Sequence, residues 1–206
     1  MEIVLATRNK KKVEEIKRIT SGLEISILTL DDYPGSPEVE EDGRTFEENA
    51  TKKAVRIAQC TGKPSLADDS GLEVYALKGA PGTLSARYAG EGADDRKNVE
   101  KLLREMRFVE KRGARFVCCL AFALPDGSIK IFNGYAEGSI GTETKGRGGF
   151  GYDPVFYPDG YNRTFAEMSD EEKDSLSHRG KALREFHAFI KQKIENRPNN
   201  SNSGDK

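Results

Sequence analysis

Two apolar runs that meet at Asp126-Gly127, in "ARFVCCLAFALPDGSIKIFNGYAEGSI", constrain the fold more than any other feature. An Asp-Gly pair tolerates the positive φ angles of a tight turn, so the runs on either side are expected to pair as antiparallel strands. The start of the chain follows a different pattern. "EIVLA" (Glu2 to Ala6) reads as a short buried strand, and after the turn "TRN" the segment "KKKVEEIKRIT" carries Val13, Ile16 and Ile19 at helical spacing. With helices early and hairpins late, the expected class is α/β with a mixed sheet.

The remaining segments fill in this outline. "ISILTL" (Ile25 to Leu30) is the next strand, and Asp31 to Arg44 is a loop rich in Pro, Gly and acids. Thr45-Phe-Glu-Glu is a capping-box pattern that starts a second helix, from about Phe46 to Cys60, with Phe46, Ala50, Ala54, Ile57 and Ala58 facing inward. "PSLADDS" is expected as a strand carrying Asp68-Asp69 at its end, followed by a short strand at Leu72 to Leu77 and a third helix at "ADDRKNVEKLLREM". A second capping box at Ser169 opens one last helix running through Leu183, Phe186, Ile190 and Ile194, with His187 as a packed helix histidine. Residues 1–195 are expected to form a single domain. The tail 196–206, "NRPNNSNSGDK", lacks apolar residues and is expected to be disordered.

Composition removes several classes of function. Lys+Arg 33 against Asp+Glu 34 leaves a formal net charge of -1, so there is no basic excess for nucleic acid, and any phosphate affinity must be local. No apolar run approaches the roughly 18 residues that span a bilayer, and the first residues read as a strand rather than a signal peptide. A soluble cytoplasmic protein is expected. Cys60, Cys118 and Cys119 have neither CxxC nor Cys/His ligand spacing and read as core residues.

Five segments carry candidate chemistry. "TRNKKK" is either a helix start whose lysines solvate its outer face, or a phosphate site combining backbone N–H groups, the positive end of the helix dipole and Lys10 to Lys12. It lacks the glycines of a Walker A loop. The acidic loop "EVEED" (Glu38 to Asp42) would ordinarily be solvated, and Asp68-Asp69 could be a turn or cap. Two carboxylates brought together would otherwise repel unless a cation lies between them, and oxygen-only ligands suit Mg2+. In "GGFGYDP", Phe150, Tyr152 and Asp153 are unusual for a mere linker and suit stacking on a base and bonding to its edge. "SHRGKA" sets His178 beside Arg179 near the start of the last apolar stripe.

Taken in order, "ATRNKKKVEEI", "TFEENATKKA", "ADDSGLEV", "GAPGTLSARYAG", "GGFGYDPVF" and "SHRGKAL" resemble the inosine triphosphate pyrophosphatases, enzymes acting on non-canonical purine nucleoside triphosphates, from Ile3 to about Phe189. The resemblance implies a long mixed central sheet with helices, two lobes enclosing a cleft, and a homodimer. It also implies cleavage of ITP, dITP or XTP between the α- and β-phosphates with Mg2+ as cofactor. By the same resemblance Thr7, Arg8, Asn9, Lys10, Lys11 and Lys12 cradle the phosphates, helped by Lys53. Asp69 is the general base and a metal ligand, aided by Glu40 or Glu41 and by Asp68, and Ser70 touches substrate. Phe150, Gly151, Tyr152, Asp153, Lys173, His178 and Arg179 form the base end. Competing readings are a pyrophosphatase for pyrimidine nucleotides and a nucleotide-binding regulator without hydrolysis.

Overall fold

The opening pattern forms β1 (Glu2–Leu5) and α1 (Lys10–Ile19). The computed structural model describes residues 1–195; the expected disordered tail and the side chain of Ile194 lie outside the described residues. β1 pairs in parallel with β2 (Ser26–Leu28) on one side and with β3 (Ser65–Val74) on the other. The rest of the sheet is antiparallel: β3, β4 (Gly113–Ala123), β5 (Ile129–Ile140) and β6 (Phe156–Pro158), giving the order β2-β1-β3-β4-β5-β6. The mixed sheet expected from the sequence is therefore present. Its hairpin closes with Ala123 opposite Ile129 and Gly127 at φ 89°.

α2 (Phe46–Thr61) begins at Thr45, whose Oγ1 accepts from the Glu48 amide at 3.1 Å. Only half of the expected capping box forms there, because the Glu48 carboxylate takes the Arg44 amide at 2.6 Å instead of that of Thr45. α3 spans Asp95–Glu105. β2 is shorter than expected because the Asp32 carboxylate captures the Thr29 amide at 2.7 Å and winds Leu30–Asp32 into a 3-10 turn.

Two further expectations need correcting. Where one last helix was expected, α4 (Asp170–Leu176) and α5 (His178–Glu195) are separated at Ser177, which is extended at ψ 156°. The Ser177 hydroxyl accepts from the Gly180 amide at 3.0 Å and so restarts the helix, while Gly180 lies so near the Asp174 carbonyl that a Cβ would stand 1.8 Å from it. Instead of two short strands, β3 is one continuous strand through Gly71, ending in a 3-10 turn at Tyr75–Leu77. Gly71 is needed for close approach, since a Cβ there would stand 2.4 Å from Ser85 Oγ and 2.6 Å from the Gly82 carbonyl. Asp68 and Asp69 consequently lie in the middle of a strand.

α2 covers one face of the sheet, packing Ala50, Ala54 and Ile57 on Ala67, Cys119 and Ala121. α1 and α5 cover the other, where Ile16, Leu183 and Phe186 meet Leu5, Leu66 and Phe122. A separate cluster forms beyond Gly71, where Leu72, Val74, Phe116, Phe156 and Phe165 pack against Leu102 and Met106. Two lobes result, joined by the long strands. Cys118 and Cys119 are core residues as expected, but Cys60 is exposed on α2. Among the described residues no helix is long and apolar enough to cross a membrane.

Candidate active site

Side chains alternate across a strand, so neighbours in sequence face opposite layers. Asp68 therefore points toward α1 and α5, with Leu66, whereas Asp69 points toward α2, with Ala67. The two carboxylates do not share one site, contrary to the reading that sets a cation between them.

Asp68 is 1% exposed and saturated with donors. Its Oδ2 accepts from Arg179 Nε at 2.9 Å and Cys118 Sγ at 3.1 Å, and its Oδ1 accepts from the Ser70 hydroxyl at 2.9 Å and from Lys12. Burial opposes its charge, but the Arg179 guanidinium and the Lys12 ammonium outweigh that and hold the carboxyl well below its usual range. With three donors on Oδ1, Arg179 Nη2 at 3.5 Å being the third, and two on Oδ2, Asp68 has no room for a metal, which corrects its placement among the metal ligands.

Asp69 sits in a different environment. Its Oδ2 accepts from Asn49 Nδ2 at 3.1 Å, and its Oδ1 is 3.4 Å from Lys53 Nζ. Burial raises its pKa, an effect only partly offset by Lys53 and Lys12. Lys53 also bonds Glu41 Oε1 at 2.6 Å and the Asp68 carbonyl at 2.8 Å, which uses all three of its N–H groups.

Asp69 opens onto a cavity of about 320 Å3 between the lobes. Thr7, Arg8, Asn9, Lys12, Glu41, Lys53 and Ser70 line it near Asp69, while Phe150, Gly151, Tyr152, Asp153, Lys173, His178 and Arg179 also reach its wall. Four expected residues are not in the lining, Asp68 among them. Lys10 is exposed, Lys11 turns aside to the Gly149 carbonyl at 3.4 Å, and Glu40 is exposed while its neighbour Glu41 faces in. The helix start also differs from a bare anion site, because Asn9 Oδ1 already caps the Lys11 and Lys12 amides at 3.1 and 3.2 Å.

On the opposite face of β3 from Asp69 lies a buried ion network. Glu15 receives Lys173 at 2.8 Å and Arg179, and Lys173 also bonds Asp153 at 2.8 Å. Together with Asp68 and Lys12, three carboxylates balance three cations. Glu15 was not singled out in the sequence, although an acid directly before Ile16 on an amphipathic helix was a usable signal. Tyr152 is chiefly structural, donating its hydroxyl to the Ser85 carbonyl at 2.9 Å. The Phe150 ring has Lys173 Nζ 4.8 Å and Arg179 Cζ 5.6 Å from its centroid. Unexpected lining residues come from the 3-10 segment Gly82–Arg87 and from α3, among them Ser85, Asp95 and Asn98.

His178 stacks on Phe116 at 4.7 Å and 8°, and its Nδ1 has no partner. Burial, reinforced by the positive charge of Arg179, holds its pKa well below the usual value, so the ring is neutral. The unfolded chain takes a proton below about pH 6.5 that the folded chain refuses, so this contribution to stability is complete above that pH and is lost as pH falls. Urea unfolding from pH 7.5 to 5.5 should show a decline approaching about 1.4 kcal/mol per pH unit below pH 6.5 that His178→Gln removes. Parallel slopes for the two proteins would contradict it.

A model of the Ham1 family matches residues 3–189. The chain is 51% identical over 193 residues to the dITP/XTP pyrophosphatase of Desulfotalea psychrophila, covering 94% of this chain and 86% of that protein. It is 53% identical over 186 residues to the dITP/XTP pyrophosphatase of Desulforamulus reducens, covering 89% and 92%. A solved HAM1 protein from Coxiella burnetii superposes with a TM-score of 0.87 at 40% identity, covering 93% of this chain and 99% of that one.

Proposed function

Because the chain belongs to the Ham1 family, we propose that it hydrolyses the non-canonical purine nucleoside triphosphates dITP, ITP and XTP to the monophosphate and pyrophosphate. The observation that carries this reading is the polarity of the cavity. Lys53 joins Asp69 to Glu41 on the α2 side of the cavity, while Lys12, Arg179 and Lys173 lie on its other side beside Phe150, Lys12 and Arg179 sharing Asp68.

Asp69 takes the proton of the attacking water. Burial raises its proton affinity, which suits a carboxylate acting as a base nearer neutral pH. Lys12 retains N–H groups beyond its bond to Asp68, and these meet phosphate oxygens. Among the described residues Lys53 is the one cation that bonds Glu41 and Asp69, so the all-oxygen donor set keeps one excess negative charge over its bonded ammonium and fits Mg2+. When bound, that ion neutralises phosphate charge. Between Glu40 and Glu41, this reading takes Glu41.

Base choice follows from the donors that remain free. Lys173 uses two of its three N–H groups on Glu15 and Asp153, leaving one. Arg179 gives Nε to Asp68, Nη1 to Glu15 and both Nη2 hydrogens to Ser70 and Asp68, leaving one hydrogen on Nη1. Two donors that accept nothing suit the 6-keto group of hypoxanthine or xanthine. The 6-amino group of adenine would face them unpaired.

The test is pyrophosphate release from dITP, ITP, XTP, ATP, GTP and dTTP, with and without Mg2+. The expected result is Mg2+-dependent release, with kcat/KM for the first three at least about 100-fold above that for ATP. Equal turnover of all six would discard the base-reading argument. Binding without release from any would point to a nucleotide-binding protein.

A further inference from the structure

We propose that Asn49 is a positioning residue that ties Asp69 to the acidic loop, so that Asp69 and Glu41 reach the cavity as one unit; the inference deepens the hydrolase reading above and rests on it. Asn49 is 1% exposed on α2 and does not line the cavity. Its Nδ2 donates to Asp69 Oδ2 at 3.1 Å, and its Oδ1 accepts from the Gly43 amide at 2.8 Å. A carboxamide presents a donor to the carboxylate and an acceptor to the N–H on two separate atoms of one short side chain.

Two consequences follow. The bond occupies Oδ2 and so selects Oδ1 as the Asp69 oxygen nearest Lys53, at 3.4 Å. At its other end Asn49 anchors Gly43, two residues after Glu41, in a stretch from Glu38 to Gly43 that has no helix or strand of its own. Gly43 permits this approach, since a Cβ there would stand 2.6 Å from Asn49 Oδ1. Lys53 also bridges Glu41 and Asp69, but it lines the cavity and faces whatever anion enters. Asn49, set behind the wall, keeps the same partners whether or not the cavity is filled.

The experiment compares wild type, Asn49→Ala and Gly43→Ala, the last pressing on the same amide oxygen from the loop side. Steady-state kinetics with dITP should show kcat reduced about 10- to 100-fold in both variants, with KM within about threefold, because no substrate contact is removed. Hydrogen exchange at the Gly43 amide, read by NMR without nucleotide, should be at least about tenfold faster in Asn49→Ala. Unchanged exchange, a folded Asn49→Ala with kcat within threefold of wild type, or a loss confined to KM would each overturn the proposal. Should wild type release no pyrophosphate while exchange still responds, the hydrolase reading fails, and with it the positioning role. The Asn49 bond alone would survive.

Discussion

Asp69→Asn is expected to lower kcat for dITP by about 10^3-fold while nucleotide affinity stays within about threefold. The substitution keeps the shape of the side chain and its acceptor for Asn49 Nδ2, but removes the carboxylate proposed to take the proton of water. The cavity-lining Asn9 and Lys12 and the ring of Phe150 are untouched, so binding should survive. Stability should change little, within about 1 kcal/mol, because burial already disfavours the charge being removed. Single-turnover rates, equilibrium binding of dITP and urea unfolding measured on the same preparation separate these effects. A variant turning over at near the wild-type rate would remove Asp69 from the role of base, and one that fails to bind would make it a ligand contact.

Reading the fold from sequence succeeded where one local rule was unopposed. The Asp126-Gly127 turn and the apolar runs beside it gave the hairpin, and the Ala50, Ala54, Ile57 spacing gave the buried face of α2. It failed where a tertiary contact overrode a local rule. Gly71 looks like a strand breaker, yet the strand passes through it because the 3-10 segment at Gly82 packs against its bare Cα. Ser177 looks like an ordinary residue within a helix, yet its hydroxyl caps a second one. The site follows the same logic. Motifs announced Asp69, Lys53 and Arg179, whereas Glu15, Asn49 and Ser85 bond across 158, 20 and 13 residues of sequence, and the one local sign among them is the acid beside Ile16 on an amphipathic helix.

The aspartate next door should behave in the opposite way. Asp68→Asn is expected to destabilise the fold by about 3–5 kcal/mol, the range for removing one partner from a buried ion pair. In place of a carboxylate held by Arg179, Lys12, Ser70 and Cys118 there would be an amide, whose NH2 must face either Lys12 or Arg179, neither of which can accept it. The balance of three carboxylates and three cations becomes an excess of one buried positive charge. The sign of the pH dependence identifies the cause. Asp68 has a lowered pKa in the folded state, so its contribution is complete above the unfolded value of about 3.9 and is lost as pH falls below it. The gap between wild type and variant in urea unfolding should thus hold from pH 8 to 5 and narrow only on stronger acidification. A gap under 1 kcal/mol at pH 7 would mean that the network tolerates a missing charge. A large gap for Asp68→Asn beside a small one for Asp69→Asn would show that adjacent, chemically identical side chains are divided by the strand's alternation, one holding the lobes' ion network and the other facing the substrate.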